Sequence, residues 1–182
     1  MKKIFKIFSI IIVSILVVGF AGYQYIIYST KQHSPEDIIQ YQKTNYDLEV
    51  FYNRPYKKGR VIFGSLEPYG KVWRTGANEA TTFETKSALT IGGSSLKAGK
   101  YTLWTIPGPE SWKVIFNNKQ YDWGVGRNGA SREAEYDALT VDVPVENTPN
   151  VVEQFTIEFV EQGSKPVLTL SWDQTKISVP IQ

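Results

Sequence analysis

The chain has 182 residues, 42% of them hydrophobic, with 20 Lys and Arg against 18 Asp and Glu, one histidine and no cysteine. That is room for one domain of common size and a further segment at an end. The missing cysteine excludes disulfides, thiolate nucleophiles, lipoprotein attachment and Cys-ligated metals, and setting aside Lys2, Lys3 and Lys6 leaves 17 basic and 18 acidic groups, too balanced to draw nucleic acid.

Residues 1–6 read as a short cytoplasmic tail. From Ile7 to Tyr28 the chain holds no charge over 22 residues, and about 20 apolar residues suffice to cross a hydrocarbon core. The three lysines before this segment predict a cytoplasmic N-terminus and a domain outside, periplasmic or extracellular. Gly19-Phe20-Ala21 offers a competing signal-peptidase site after Ala21. Tyr23, Tyr25 and Tyr28, which prolong the apolar run like an interfacial aromatic belt, favour a retained signal anchor.

Residues 29–45 read as a linker. Within it Ser34-Pro35-Glu36-Asp37 carries an N-cap candidate, a first-turn proline and first-turn acids, which predicts a short helix from about Pro35 to Lys43. His33, the single histidine, also lies here, so the domain beyond lacks the imidazole of catalytic triads and zinc sites.

From Tyr46 to Gln182 the hydrophobic period is two. Leu139, Val141, Val143 and Val145 share one face; Phe155, Ile157 and Phe159, then Leu168, Leu170 and Trp172, then Ile177, Val179 and Ile181 repeat the pattern. Pro144 and Pro180 mark edges or bulges. Earlier strands are expected at 47–52, 60–63, 81–86, 89–91, 100–106 and 112–117, with a turn at Ile91-Gly92-Gly93-Ser94. Short strands joined by turns predict an all-β domain, an antiparallel β-sandwich or jelly-roll-like fold.

The stretches YNRPYKKGRVIFG, PYGKVWRTGANEATTF, LKAGKYTLWTIPG, WKVIFNN and LTLSWDQTKISVPI together resemble domain-of-unknown-function family 2911, whose members are exported or membrane-attached bacterial proteins. The resemblance covers about Tyr46 to Ile181, with VWRTGANEAT at its centre. It implies a compact all-β domain and transfers no activity, catalytic residue or cofactor.

Three motifs invite chemistry. Gly124, Gly126 and Gly129 complete a G-x-G-x-x-G string, but without the βαβ unit that makes it a dinucleotide site it reads as a glycine loop, and no cofactor is expected. Glu79, Glu84, Asp122 and Asp142 are carboxylates of the kind a glycosidase uses, which keeps open a His- and Cys-independent glycan-active enzyme. No calcium loop or other metal set is spaced for binding. Trp73 and Trp123 sit in non-alternating segments where an indole either plugs the sandwich or stacks on a sugar. In VWRTGANEAT, Arg74 and Glu79 are close enough to pair across a turn that Gly76 and Asn78 shape. This stretch either braces a long connection or, with Trp73, Arg74, Asn78 and Glu79 converging and Arg60 or Lys58 joining them, holds a polar ligand. The sequence thus predicts a single-span exported module that binds a glycan or an envelope protein, with Arg60, Trp73, Arg74, Asn78, Glu79 and Trp123 as ligand-binding candidates.

Overall fold

The computed structural model describes residues 2–43 and 45–182; Met1, in the expected tail, and Thr44, in the expected linker, lie outside the described residues. The chain forms two compact units that meet at His33 and Ser34. The first is one helix, α1 (Lys2–His33), of which Ile4–His33 is long and apolar enough to cross a membrane, its most apolar 18-residue stretch having a mean hydropathy of 2.7.

The second unit is built from β1 (Glu36–Lys43), β2 (Tyr46–Asn53), β3 (Thr82–Thr85), β4 (Leu89–Ile91), β5 (Ser94–Leu96), β6 (Gly99–Ile106), β7 (Ser111–Asn117), β8 (Val125–Gly126), β9 (Gly129–Ala130), β10 (Asp137–Gln162) and β11 (Lys165–Pro180). Seven of these form an antiparallel sheet in the order β1-β2-β3-β6-β7-β10-β11, while β4–β5 and β8–β9 are two-stranded ribbons.

The expected helix over 35–43 is strand β1 instead. Asp37, Ile39 and Tyr41 turn toward the domain while Glu36, Ile38, Gln40 and Gln42 face outward, so the period is two, and the register from Glu36 opposite Asn53 to Lys43 opposite Tyr46 makes β1 and β2 a hairpin. The capping signal is local; burial of Tyr41 against Tyr46 and Phe159 is what wins. The strand expected at 60–63 is likewise a turn, because Lys58 and Gly59 both take positive φ and reverse the chain before Ile62 plugs the core.

The four late apolar runs are two long strands, each bent. β10 pairs with β7 through Asp137–Pro144 and with β11 through Val145–Asn147 and Val152–Gln162, with irregular register between Asn147 and Thr156. β11 bends at Asp173, where φ is 55°. The bends let Phe155, Ile157, Leu168, Leu170 and Trp172 enter one core with Leu48, Phe83, Trp112, Val141 and Val143, so the sheet lies over itself as a sandwich. Pro144 occupies the last register position of the β7–β10 ladder and Pro180 ends β11, both compatible with a residue that donates no ladder hydrogen bond.

The sandwich is closed where β2 ends. Pro55 and Lys57 continue toward the bent arm of β10, with Phe155 N donating to Pro55 O at 2.9 Å and Lys57 N to Glu153 O at 2.7 Å. Arg54 adds three bonds, to Phe155 O at 3.2 Å, Thr156 Oγ1 at 3.0 Å and Asp37 Oδ2 at 3.2 Å. Tyr52 is fully buried; its hydroxyl accepts from Ile157 N at 3.0 Å and donates to Ile157 O at 3.2 Å, and burial pushes the phenol up to about 12. A smaller core lies on the opposite face of the sheet, where Ala80, Trp104 and Ile115 are covered by Val72, Tyr121 and Ala130.

Tyr52→Phe orphans the buried Ile157 N–H, and the expected cost is about 1–3 kcal/mol. Urea denaturation monitored by tryptophan fluorescence reads it as a lower midpoint with unchanged slope; an unaltered midpoint would show that the closure does not depend on this hydroxyl.

Candidate functional site

The connection from β2 to β3 carries VWRTGANEAT, and its centre is bonded into the sheet. Trp73 N donates to Thr105 O at 2.7 Å and Thr105 N to Trp73 O at 3.0 Å, so residue 73 extends the ladder beside β6. In extended backbone, neighbours point to opposite faces. Trp73 therefore enters the main core and is 3% exposed. Its indole stacks on Trp172 at 5.9 Å with an interplanar angle of 16°, meets Phe63, Trp112 and Phe155 edge-on, and donates Nε1 to Gly76 O at 3.0 Å. Trp73 is a plug. Arg74, the next residue, emerges on the other face.

The rest of the motif braces the turn. Asn78 takes φ 55° and is buried; its Nδ2 donates to Asn53 Oδ1 at 3.4 Å, and Asn53 Nδ2 donates to Glu79 Oε2 at 3.1 Å. Thr81 Oγ1 donates to Thr75 O at 2.8 Å. A Cβ on Gly76 would lie 2.8 Å from Asn53 O, so glycine is demanded by close approach. Glu67, from the preceding turn, acts on the charge of Arg74, while Glu79 accepts from Asn53.

Arg74 is half-buried and held along its stem. A Cβ placed on Gly124 would come within 2.4 Å of Arg74 Cδ and 2.6 Å of its Cβ, so the 118–136 segment rests directly on the side chain and only glycine fits. Gly124 N donates to Asn78 O at 3.0 Å and Ser131 N to Gly124 O at 3.1 Å, which fix that segment in place. Its base is clamped by Arg132 and Asn117, both donating to Asp137. Arg74 Nε donates to Gly76 O at 3.4 Å, and among the described residues its two terminal nitrogens take no protein acceptor. Burial lowers the guanidinium pKa, and the negative charge of Glu67 partly restores it.

Glu67 is the acid that sequence reasoning missed. Burial pushes its carboxyl up to about 7, against the opposing pull of Arg74 and Arg60, and its side chain takes no hydrogen bond from the described residues. The only sequence signal was its place in a turn beside a proline, which many solvated acids share. Arg60 is exposed on the Lys57–Arg60 turn, donating Nε to Lys57 O at 2.9 Å. Trp123, beside Gly124, is 36% exposed. The structure thus gathers Arg60, Glu67 and Arg74 electrostatically, sets Trp123 next to the glycine that covers Arg74, and sends Trp73, Asn78 and Glu79 into the scaffold beneath.

The remaining carboxylates are engaged elsewhere. Glu84 binds Lys86, and Asp142 binds Lys113 at 3.0 Å on β7. Asp122 is exposed. The Gly124–Gly129 string folds as the β8–β9 ribbon, Val125 opposite Ala130 and Gly126 opposite Gly129. No group of three or more His, Asp or Glu suited to a metal occurs among the described residues. The charges of Arg74 and Arg60 thus act on one carboxyl that burial raises to about 7.

Trp73→Ala is expected to cost about 3–5 kcal/mol, as for other large core aromatics, read as a fall in Tm on the order of 10 °C. Gly124→Ala forces the covering segment off the Arg74 stem and is expected to cost about 1–3 kcal/mol as an overpacking change. Thermal melts of both variants check this, and wild-type melting of Trp73→Ala would remove the plug.

No curated protein and no solved structure matches the chain. The family model described as "Protein of unknown function (DUF2911)" matches residues 34–181, which run from the first residue of the β-domain almost to its last. With the VWRTGANEAT turn, the bent β10–β11 hairpin and the buried Trp73 all inside the matched span, the chain belongs to the DUF2911 family.

Proposed function

We propose that the protein is a single-pass, membrane-anchored module of the bacterial cell envelope whose exported β-domain binds an anionic group of an envelope ligand at Arg74. The observation that carries this reading is Arg74 itself. A half-buried guanidinium held by Gly124 and Gly76 keeps its terminal nitrogens without acceptors among the described residues, and planar, bidentate recognition of carboxylate or phosphate is what such a group does best. Arg60 adds a second positive charge, and the exposed Trp123 offers an indole face for a sugar ring. The enzyme reading draws less support. A glycosidase needs two carboxylates set either side of a bond, and the charged groups acting on Glu67 are both arginines. The anchor reading rests on α1, and on Lys2, Lys3 and Lys6 preceding the apolar run, which favour an N-terminus inside and a domain outside.

Two small anions on polar scaffolds test the site: sn-glycerol 3-phosphate and N-acetylmuramic acid, with N-acetylglucosamine as the neutral control. Calorimetric titration is expected to detect both anions and not the control. Arg74→Gln is expected to abolish binding while retaining the wild-type melting temperature to within about 1 kcal/mol, since a partly exposed charge adds little stability. Equal binding by Arg74→Gln would overturn the assignment.

The pH dependence follows from Glu67, whose folded value of about 7 lies above its usual 4.5. A carboxyl raised in the folded state stabilises the fold when protonated, and this contribution is lost as pH rises from 4.5 through about 7. In the same window the new negative charge competes with the ligand for Arg74. Anion affinity is therefore expected to fall as pH rises through about 7, and Glu67→Gln to flatten both the affinity and the stability profiles. For the anchor, intact mass spectrometry of the mature chain is expected to retain Ile7 to Tyr28; a mature N-terminus at Gly22 would refute it.

A further inference from the structure

The second unit begins without a spacer. Only Ser34 and Pro35 separate the last residue of α1 from β1. Ser34 is buried, and Pro35 O accepts Arg54 N at 2.9 Å. The chain therefore enters the β-domain beside the end of β2, where Glu36 is opposite Asn53. The turn that follows Arg54 leaves from this same end. The β4–β5 hairpin leaves from the other, because β3 runs from Thr82 opposite Phe51 to Thr85 opposite Leu48 before entering it.

At a rise of about 1.5 Å per residue, the apolar helix from Ile4 to His33 is about 45 Å long, close to a bilayer's full thickness with its headgroups. On the membrane reading above, on which this inference rests, the entry point at Ser34 lies near the water side of the headgroups. On that reading, chain connectivity alone starts the domain, at that end, close to the leaflet.

What it displays there is a rigid basic and apolar turn. Lys58 and Gly59 reverse the chain at φ 50° and 69°. Lys58 N donates to Glu153 Oε1 at 2.8 Å, Lys57 Nζ to Arg60 O at 2.8 Å, and Arg60 N to Lys57 O at 3.1 Å. Lys57 also pairs with Asp173 at 3.5 Å, and Arg60, though exposed, folds its guanidinium back on Lys57 O at 2.9 Å and Tyr56 O at 2.5 Å, which leaves Lys58 as the outward cation. Beside it Val61 is 65% exposed and Tyr56 37% exposed. An aliphatic and an aromatic side chain flanked by an exposed cation, on a turn that needs no further ordering, match a headgroup layer in both polarity and charge.

We propose that the Lys58–Val61 turn docks on the leaflet beneath the domain, with Val61 and Tyr56 entering the headgroup region and Lys58 on the phosphates of anionic lipid.

The absence of cysteine makes the test direct. Full-length Val61→Cys and Ser94→Cys, each carrying a single polarity-sensitive fluorophore, are reconstituted in vesicles of phosphatidylglycerol and phosphatidylcholine containing a headgroup spin-labelled lipid. Ser94 is exposed on the β4–β5 hairpin at the far end. The label at 61 is expected to be blue-shifted and quenched, and that at 94 to remain water-like. Adding Lys58→Glu to Val61→Cys is expected to reduce the docked population at least about fivefold, since one basic residue near an anionic leaflet is worth about that factor. A label at 61 as water-like as that at 94, on protein that co-floats with the vesicles, overturns the docking and leaves the anchor standing. Protein that fails to co-float overturns the anchor and the docking with it. Quenching that Lys58→Glu does not alter overturns the role of the cation.

Discussion

The position of one indole decides much of this domain. Trp73 is bonded to Thr105 by both its backbone groups, and its side chain is enclosed by Phe63, Trp112, Phe155 and Trp172. These rings come from the long β2–β3 connection, from β7, and from both β10 and β11, so a single cluster ties an irregular segment to the two layers of the sandwich. Large aromatics contribute through buried area and through edge-to-face geometry, and here both act where the chain would otherwise form a loose loop. Once Trp73 is fixed inward, backbone alternation leaves Arg74 no choice but the opposite face.

That consequence connects packing to chemistry. Arginine at the surface of a flexible loop would be one cation among many. Here the stem is covered by Gly124, the turn beneath is braced through Asn53, Asn78 and Glu79, and the half-buried guanidinium keeps its terminal donors unused among the described residues. Burial of Glu67 itself is what resists its ionisation, against the opposing pull of Arg74 and Arg60. The motif is thus architecture first: Trp73 faces the core, Arg74 the other face, and the braced turn holds the half-buried arginine rigidly.

The closure at the end of β2 has the same economy. Arg54 and Tyr52 reach across to the Phe155 carbonyl, the Thr156 hydroxyl and the Ile157 N–H, taking groups along the bent arm of β10. An open edge would leave these groups to water or to another chain. The closure also holds the turn of Lys57 to Val61 against Glu153 and Asp173, giving the end where the chain enters the domain a defined surface.

Period-two patterning by itself determined the all-β class, the strands at 89–91, 100–106 and 112–117 and the apolar faces of β10 and β11, because alternation across a half-buried sheet is written residue by residue. The uncharged run from Ile7 to Tyr28 was equally legible, since length and apolarity are local properties. Tertiary structure decided the rest. Ser34-Pro35-Glu36-Asp37 carries a sound helix-start signal, yet β1 forms because Tyr41 gains more from Tyr46 and Phe159 than a cap supplies. Arg74 was visible as a candidate, but its partner was not: Glu67 is distant enough in the chain that only the path of the connection brings its charge to bear, and its raised pKa comes from burial, which no residue's identity encodes. Trp73 and Trp123 look alike in sequence and part company in space, one plugging the core and one left at the surface, because burial is a property of the surroundings that assemble around a residue.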